Sequence, residues 1–448
     1  MTNSPLWLAQ IQFFTSLGFL SLFLLLELGL AWLLVYFKLR ATLPGDQRGA
    51  FIQAYRFWAR IFALTSILAL AAGFPVLIQL GTLWPGLMAR IGEVAGPLLA
   101  AAVLTTFIMK SCFLGAMLFG QRRMSDRAHT LVVVMVAFGL SLALFWILAL
   151  FAWMQAPAGA QFIEGRYLVT SWLDVLFSPL VFTFISVTVA LALFGVAFMM
   201  IGVTSRQSLW QPVDHAHRHV FRTGLAVAAL ASTCLLGALG VYSQQVAELQ
   251  PGKAAATAAY WQTGTNPDLA LVGWPSEEQQ TTHGTLLISD LGRLFLGQDE
   301  TGSVLGLDNF AGMHAPVALT FWSWRLLIVI VVLAWLLALT VLFGSRRSAV
   351  DITAVSPRLR RGLSCLTYLG LPVLVLWLAY VWFGQLPYAV SGSVTTTEIL
   401  AATGAGEIFA GLLAYSVVYV LLFAAFVRLV RYFMRYGVIP VGRQRGRA

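Results

Sequence analysis

Two ionisable residues of opposite sign, Glu27 and Lys110, stand inside long apolar runs of a 448-residue chain. A charge among hydrocarbon persists only when it is paired, hydrated or functional, so the two together imply an ion pair or two water-facing sites. The six histidines are His129, His215, His217, His219, His283 and His314, and all fall outside the apolar runs. That placement argues against iron held at membrane depth by two imidazoles or by imidazole and thioether. His215, His217 and His219 alternate beside Asp214 in HAHRH. A metal could use that pattern, but a solvated basic connector produces it equally well. His129 follows RRMSDRA and reads as a capping or headgroup-facing residue. Cys112, Cys234 and Cys365 lie in apolar runs without CxxC or Cys/His spacing, so neither a disulfide framework nor a zinc site is implied.

The elements that must position these groups are membrane spans. Hydrophobic residues make up 59% of the chain and charged residues only 10%, with a mean hydropathy of +0.82. A soluble domain carries about 25% charged residues. The net charge of +10 is scattered between apolar runs and does not form a basic face, so no nucleic-acid partner is expected. Nine runs reach the roughly 20 residues that a bilayer core requires. They centre in 11–37, 55–80, 97–119, 131–154, 180–204, 222–244, 318–343, 364–383 and 409–433. The first has no basic lead and no small-residue cleavage site, and reads as a retained helix. One side of the alternating loops holds 22 Lys/Arg; the other holds Arg90, Arg166, Lys253, Arg293 and Arg325. By the positive-inside rule the N-terminus faces out and the C-terminus faces the cytoplasm. Glu27 and Lys110 then differ in depth by about one helical turn, ~5 Å, within reach of a lysine stem. Tryptophans 7, 58, 84, 322, 324 and 382 near span ends read as an interfacial belt. The one long connection, 245–317 on the outer side, is rich in Gly, Pro, Thr and Gln and carries Glu277, Glu278, Asp299 and Glu300. A loop of that length is either functional or a solvated tether.

Several segments carry a specific resemblance. IQFFTSLGFLSLFLLLELGLAW, YRFWARIFAL, GPLLAAAVLTTFIMKSCFLGAMLFG, LFWILALFAWMQAPAG, QPGKAAA, GLDNF with PVALTFWSWR, and FGQLPYAVSG resemble, in order and spacing, subunit I of cytochrome bd-type quinol oxidases. The resemblance covers nearly the whole chain. It implies an all-α polytopic membrane domain over 1–448 with nine transmembrane helices, whose segment 245–317 sits where the family has its quinol loop. It further implies haem b and haem d, which pass electrons from quinol to oxygen, and a position in the cytoplasmic (inner) membrane of a bacterium or archaeon.

Against that family pattern, the positions of the axial haem ligands are Leu20, Val187 and Leu327, all aliphatic and unable to coordinate iron. Family acids in the third helix correspond to Ala102 and Lys110, and the acid of the quinol loop corresponds to Ala258. Lys253, the basic residue of that loop, and Arg325, beside the low-spin haem, are retained. Each also has a plain reading, Lys253 as a solvated loop lysine and Arg325 as a snorkelling arginine. The expectation is therefore a chain with no metal site, no catalytic residue and no haem of its own, with a quinone contact at Lys253 left open. Such a chain acts as a structural or accessory paralogue joined to a subunit II-like or haem-bearing subunit I-like partner. Two alternatives stand beside it: an active quinol oxidase subunit with non-standard haem ligation, and a transporter, which would require broken helices or repeated halves that are not evident.

Overall fold

The computed structural model describes residues 4–43, 47–265, 268–289, 292, 295–298, 302–310, 312–344 and 351–436. Arg293, Asp299 and Glu300, named above, lie outside them. Nine helices among the described residues are long and apolar enough to cross a membrane. They are built on α1 (Pro5–Thr42), α2 (Arg48–Thr82), α3 (Pro85–Ile108), α4 (Asp126–Gln155), α5 (Val181–Gln207), α6 (His215–Leu249), α8 (Val317–Gly344), α9 (Gly370–Phe383) and α10 (Ala405–Tyr436). A short helix, α7 (Pro251–Ala258), follows α6 directly. Most of these run past the apolar segments, and polar caps hold the N-terminal ends of α1, α4 and α6. Ser4 Oγ accepts from Trp7 N, Ser125 Oγ from Ala128 N, and Asp214 Oδ1 from His217 N.

α1 and α5 are the most enclosed spans, and most of their residues are buried. They meet at Gly29, where an added Cβ would lie 2.5 Å from the Ala192 carbonyl oxygen, so no larger residue permits this approach. α3, α8 and α10 instead turn apolar side chains such as Phe107, Leu333 and Leu421 outward. In water that surface would be a liability; in hydrocarbon it is the expected exterior.

Four expectations are corrected here. The HAHRH run is not a loop: it forms the opening turns of α6, and His217 Nδ1 sits 2.6 Å from the capping Asp214. His129 does not face headgroups but is fully buried in the first turn of α4, with Nε2 3.0 Å from the Met117 carbonyl. The short polar stretch before each apolar run had hidden how far the helices extend. Trp58 and Trp84 are also packed inside the bundle, as is most of Trp324. The described residues of the segment 245–317 are not a bare tether. They include α7 and an antiparallel hairpin, β1 (Leu269–Ser276) and β2 (Thr281–Ile288), paired from Leu269↔Ile288 to Ser276↔Thr281 with two bulges.

Candidate functional site: a buried polar cluster under the hairpin

α6 ends at Leu249, and Pro251 starts α7 at once, so the chain turns back over the bundle and carries Lys253 inward. Lys253 is only 5% exposed. Its Nζ donates to Tyr242 Oη at 2.9 Å and to Gln155 Oε1 at 3.3 Å, and it lies 4.8 Å from the ring centre of Tyr380 and 5.3 Å from that of Tyr242. Gly384 leaves the lysine its space: a Cβ there would come within 2.8 Å of Lys253 Cε. Among the described residues, every hydrogen-bond acceptor of the ammonium is neutral. Burial pushes the Lys253 pKa down to about 7.

Gln155, at the end of α4, is the hub. Its Oε1 accepts from Tyr242, Gln250 and Lys253, and its Nε2 donates to Val381 O and Gln385 Oε1. The far side is closed by Arg325, which does not snorkel. Its guanidinium donates to the carbonyls of Thr257 at 2.6 Å, Leu271 at 2.8 Å, Phe321 at 3.1 Å and Ala270. One side chain of α8 thus ties the end of α7 and the first strand of the hairpin to the bundle. Both plain readings, a solvated Lys253 and a snorkelling Arg325, are overturned, because chain reversal at Pro251 buries residues that a linear reading leaves in water. Ala258 is buried at the end of α7 against Leu296 and Val304. Gln155, Tyr242, Gln250, Tyr380 and Gln385 were not singled out from sequence. Their one signal was a polar group at the end of an apolar run.

A second constellation lies deeper. Lys110 Nζ is 3.1 Å from Glu27 Oε1, 3.2 Å from Oε2 and 2.9 Å from the Ser66 carbonyl oxygen. Glu27 is 1% exposed, and the Lys110 side chain 13%. Lys110 sits in a π-helical turn, Met109–Leu114, that interrupts the third span; such turns re-aim side chains. Ala102 is buried two turns earlier on α3.

At the positions that the resemblance assigns to haem ligands, the side chains offer only carbon. Val187 and Leu327 are wholly buried. One turn before each, Phe184 and Trp324 enter a packed aromatic group with Tyr242, Trp377 and Tyr380. Ring centres lie 4.5 Å apart for Trp324–Tyr380, 5.1 Å for Tyr242–Trp377 and 5.7 Å for Phe184–Tyr242. Leu20 borders a cavity of about 90 Å³, below the ~300–1,000 Å³ of ordinary ligand pockets. These positions do not fit an iron porphyrin. No group of three or more His, Cys, Asp or Glu suited to a metal occurs among the described residues.

Comparison with known proteins places this architecture. The family model "Cytochrome bd terminal oxidase subunit I", a haem-binding oxidase family, matches residues 8–438. Cytochrome bd-II ubiquinol oxidase subunit 1 of Escherichia coli is 30% identical over 319 residues, 69% of this chain and 60% of that protein. Cytochrome bd ubiquinol oxidase subunit 1 of Bacillus subtilis is 24% identical over 439 residues, 95% of this chain and 92% of that protein. The chain thus matches less than two thirds of the Escherichia coli relative but nearly all of the Bacillus one. The bd oxidase structure from Geobacillus thermodenitrificans superposes with a TM-score of 0.84 at 21% identity, over 98% of this chain and 100% of that one. Both curated relatives are named as one subunit of an oxidase, and family members work in membrane complexes with other subunits. With nine spans and a family match along almost its whole length, the chain belongs to the cytochrome bd terminal oxidase subunit I family and is a multi-pass protein of the bacterial inner membrane.

Proposed function

We propose that this chain is a haem-poor structural or accessory subunit I-like component of a cytochrome bd-type quinol oxidase complex, held with a subunit II-like or haem-bearing subunit I-like partner. The observation that carries the reading is the pair Val187 and Leu327, aliphatic and buried, with aromatic side chains packed one turn from each. A porphyrin needs an axial donor and a slot between helices; neither is offered at these positions. The Glu27–Lys110 pair supports the same reading. A cation stands where the family has a carboxylate, and the pair links α1 to the third span without a cofactor. The distribution of basic residues supports an outward N-terminus, with Lys253 and the hairpin on the outer side.

Lys253 is the candidate quinone contact in that segment. An ammonium that releases its proton near pH 7 can donate to a quinone oxygen or accept a quinol proton. A quinone reaching it would replace Tyr242 or Gln155 as its partner.

The test is the dithionite-reduced minus oxidised spectrum of the complex isolated in mild detergent, with pyridine-haemochrome quantification for each polypeptide. Separated from its partner, the chain should show no Soret or α-band of its own. Stoichiometric haem on the isolated chain would overturn the reading in favour of an oxidase with non-standard ligation. His129 is the buried imidazole such an oxidase would turn to. Its Nε2 already meets the Met117 carbonyl, and its ring lies edge-on to Tyr55 at 5.8 Å.

A further inference from the structure

A cavity of about 680 Å³ opens between α1, α2, α5 and α6, at the basic end of the bundle, and includes neither Glu27 nor Lys253 in its lining. Its volume lies within the ~300–1,000 Å³ range of ligand pockets. Chemically it has two ends. The deep walls are aliphatic, with Leu33, Leu193, Val196, Met200 and Val227, and the floor is Gly29, where α1 and α5 touch. The mouth carries Arg40, from the last turn of α1, with Arg222 and His219 from α6. Arg40 lies over the ring of Phe51 at 5.3 Å, and the His219 ring packs tilted against the same ring at 4.8 Å, so one aromatic ring gathers both groups at the mouth.

Among the described residues, no acid lines the cavity. The described acids of this end are engaged elsewhere: Asp126 by Lys38 and Arg48, Asp214 by His217, and Asp351 by Arg218. Among the described residues Arg40 and Arg222 make no ion pair. From Gly29 to Arg40, α1 climbs about 16 Å, close to half of the ~30 Å hydrocarbon core. The cavity is therefore about one leaflet deep, mostly apolar below, and doubly cationic at headgroup level. Basic pockets between spans suit anionic lipid headgroups.

We propose that this cavity is a binding site for one anionic phospholipid, its phosphate held between Arg40 and Arg222 and an acyl chain lying along α5 toward Gly29. Phosphate chemistry alone would also admit a free anion, and the depth of the aliphatic wall is what favours the lipid.

The test uses the complex in detergent, delipidated and then titrated with dioleoylphosphatidylglycerol, dioleoylphosphatidylcholine or inorganic phosphate, with bound molecules counted by native mass spectrometry. Phosphatidylglycerol should bind more tightly than phosphatidylcholine, and Arg40→Gln with Arg222→Gln should remove about 30-fold of its affinity. Arg40→Lys with Arg222→Lys should retain most of it. Val227→Trp, which fills the aliphatic wall, should weaken phosphatidylglycerol with both arginines in place. Equal binding of the two lipids, or an unchanged affinity in the double glutamine variant, would overturn the proposal. So would inorganic phosphate binding with the same arginine dependence and displacing the lipid, which would make the mouth a free-anion site. The arginines are exposed at the mouth, so their variants should elute as the intact complex, and the lysine pair controls for fold.

Discussion

Replacing Lys253 by Met tests whether burial alone sets the state of this lysine. Its partners are Tyr242 on α6, Gln155 on α4 and the face of Tyr380 on α9, while Arg325 on α8 is occupied by backbone carbonyls. A fall from the ordinary 10.5 to about 7 corresponds to about 5 kcal/mol disfavouring the charged form. Between those two pH values the unfolded chain holds a proton that the folded chain has released, so the lysine makes stability rise with pH across about 7 to 10.5. Below about 7 its penalty is present in full; above about 10.5 it is gone. The two hydrogen bonds that Met would forfeit are worth about 1 kcal/mol each, and Tyr242 keeps its bond to Gln155. Lys253→Met should therefore gain about 3 kcal/mol near pH 6 and lose about 1 kcal/mol near pH 10. The assay is thermal unfolding of the detergent-solubilised complex from pH 6 to 10 at one scan rate, because membrane proteins commonly unfold irreversibly. Wild type should show a pH-dependent rise that the variant lacks. Identical pH slopes, or a variant less stable than wild type at pH 6, would refute the argument that an uncompensated charge is buried there.

Breaking the Glu27–Lys110 pair should follow the logic of buried ions. Glu27→Gln and Lys110→Met should each cost about 3–5 kcal/mol by stranding the other group, while the double change to Leu and Met should cost much less; a thermal-unfolding double-mutant cycle reads the difference, and equal losses in all three would mean the charges act separately. Arg325→Met should leave the carbonyls of Thr257, Ala270 and Leu271 without their donor and loosen the hairpin, seen as faster amide exchange over 269–288 with little change in α8. Arg325→Lys should restore only part of the protection, because an ammonium cannot serve several diverging carbonyls as a guanidinium does.

The nine spans, the membrane class and the family were legible in the sequence, because runs of about 20 apolar residues have one stable solution in a bilayer and quoted segments in fixed order mark descent. Glu27 and Lys110 were legible as a pair, since opposite charges at similar depth on two spans have few other partners. The distances between them depended on the π turn at Met109–Leu114, which no local pattern announces. Lys253 and Arg325 looked like surface residues, because whether a lysine in a polar segment meets water is decided by where the chain folds back. Pro251 and Gly384 set that, one by starting α7 and the other by leaving room beside Tyr380. His129 looked exposed for the related reason that helix ends in sequence are not helix ends in space. The cavity between α1 and α6 had no sequence signature, since Arg40 and Arg222 are far apart along the chain and meet only through helix packing. Sequence by itself determined which segments enter the membrane and which side chains lack the atoms to hold iron, because those are properties of composition and residue type. Tertiary structure alone decided which polar groups are dry, which are paired and where a cavity remains, because burial and proximity arise only when separate helices are brought into contact.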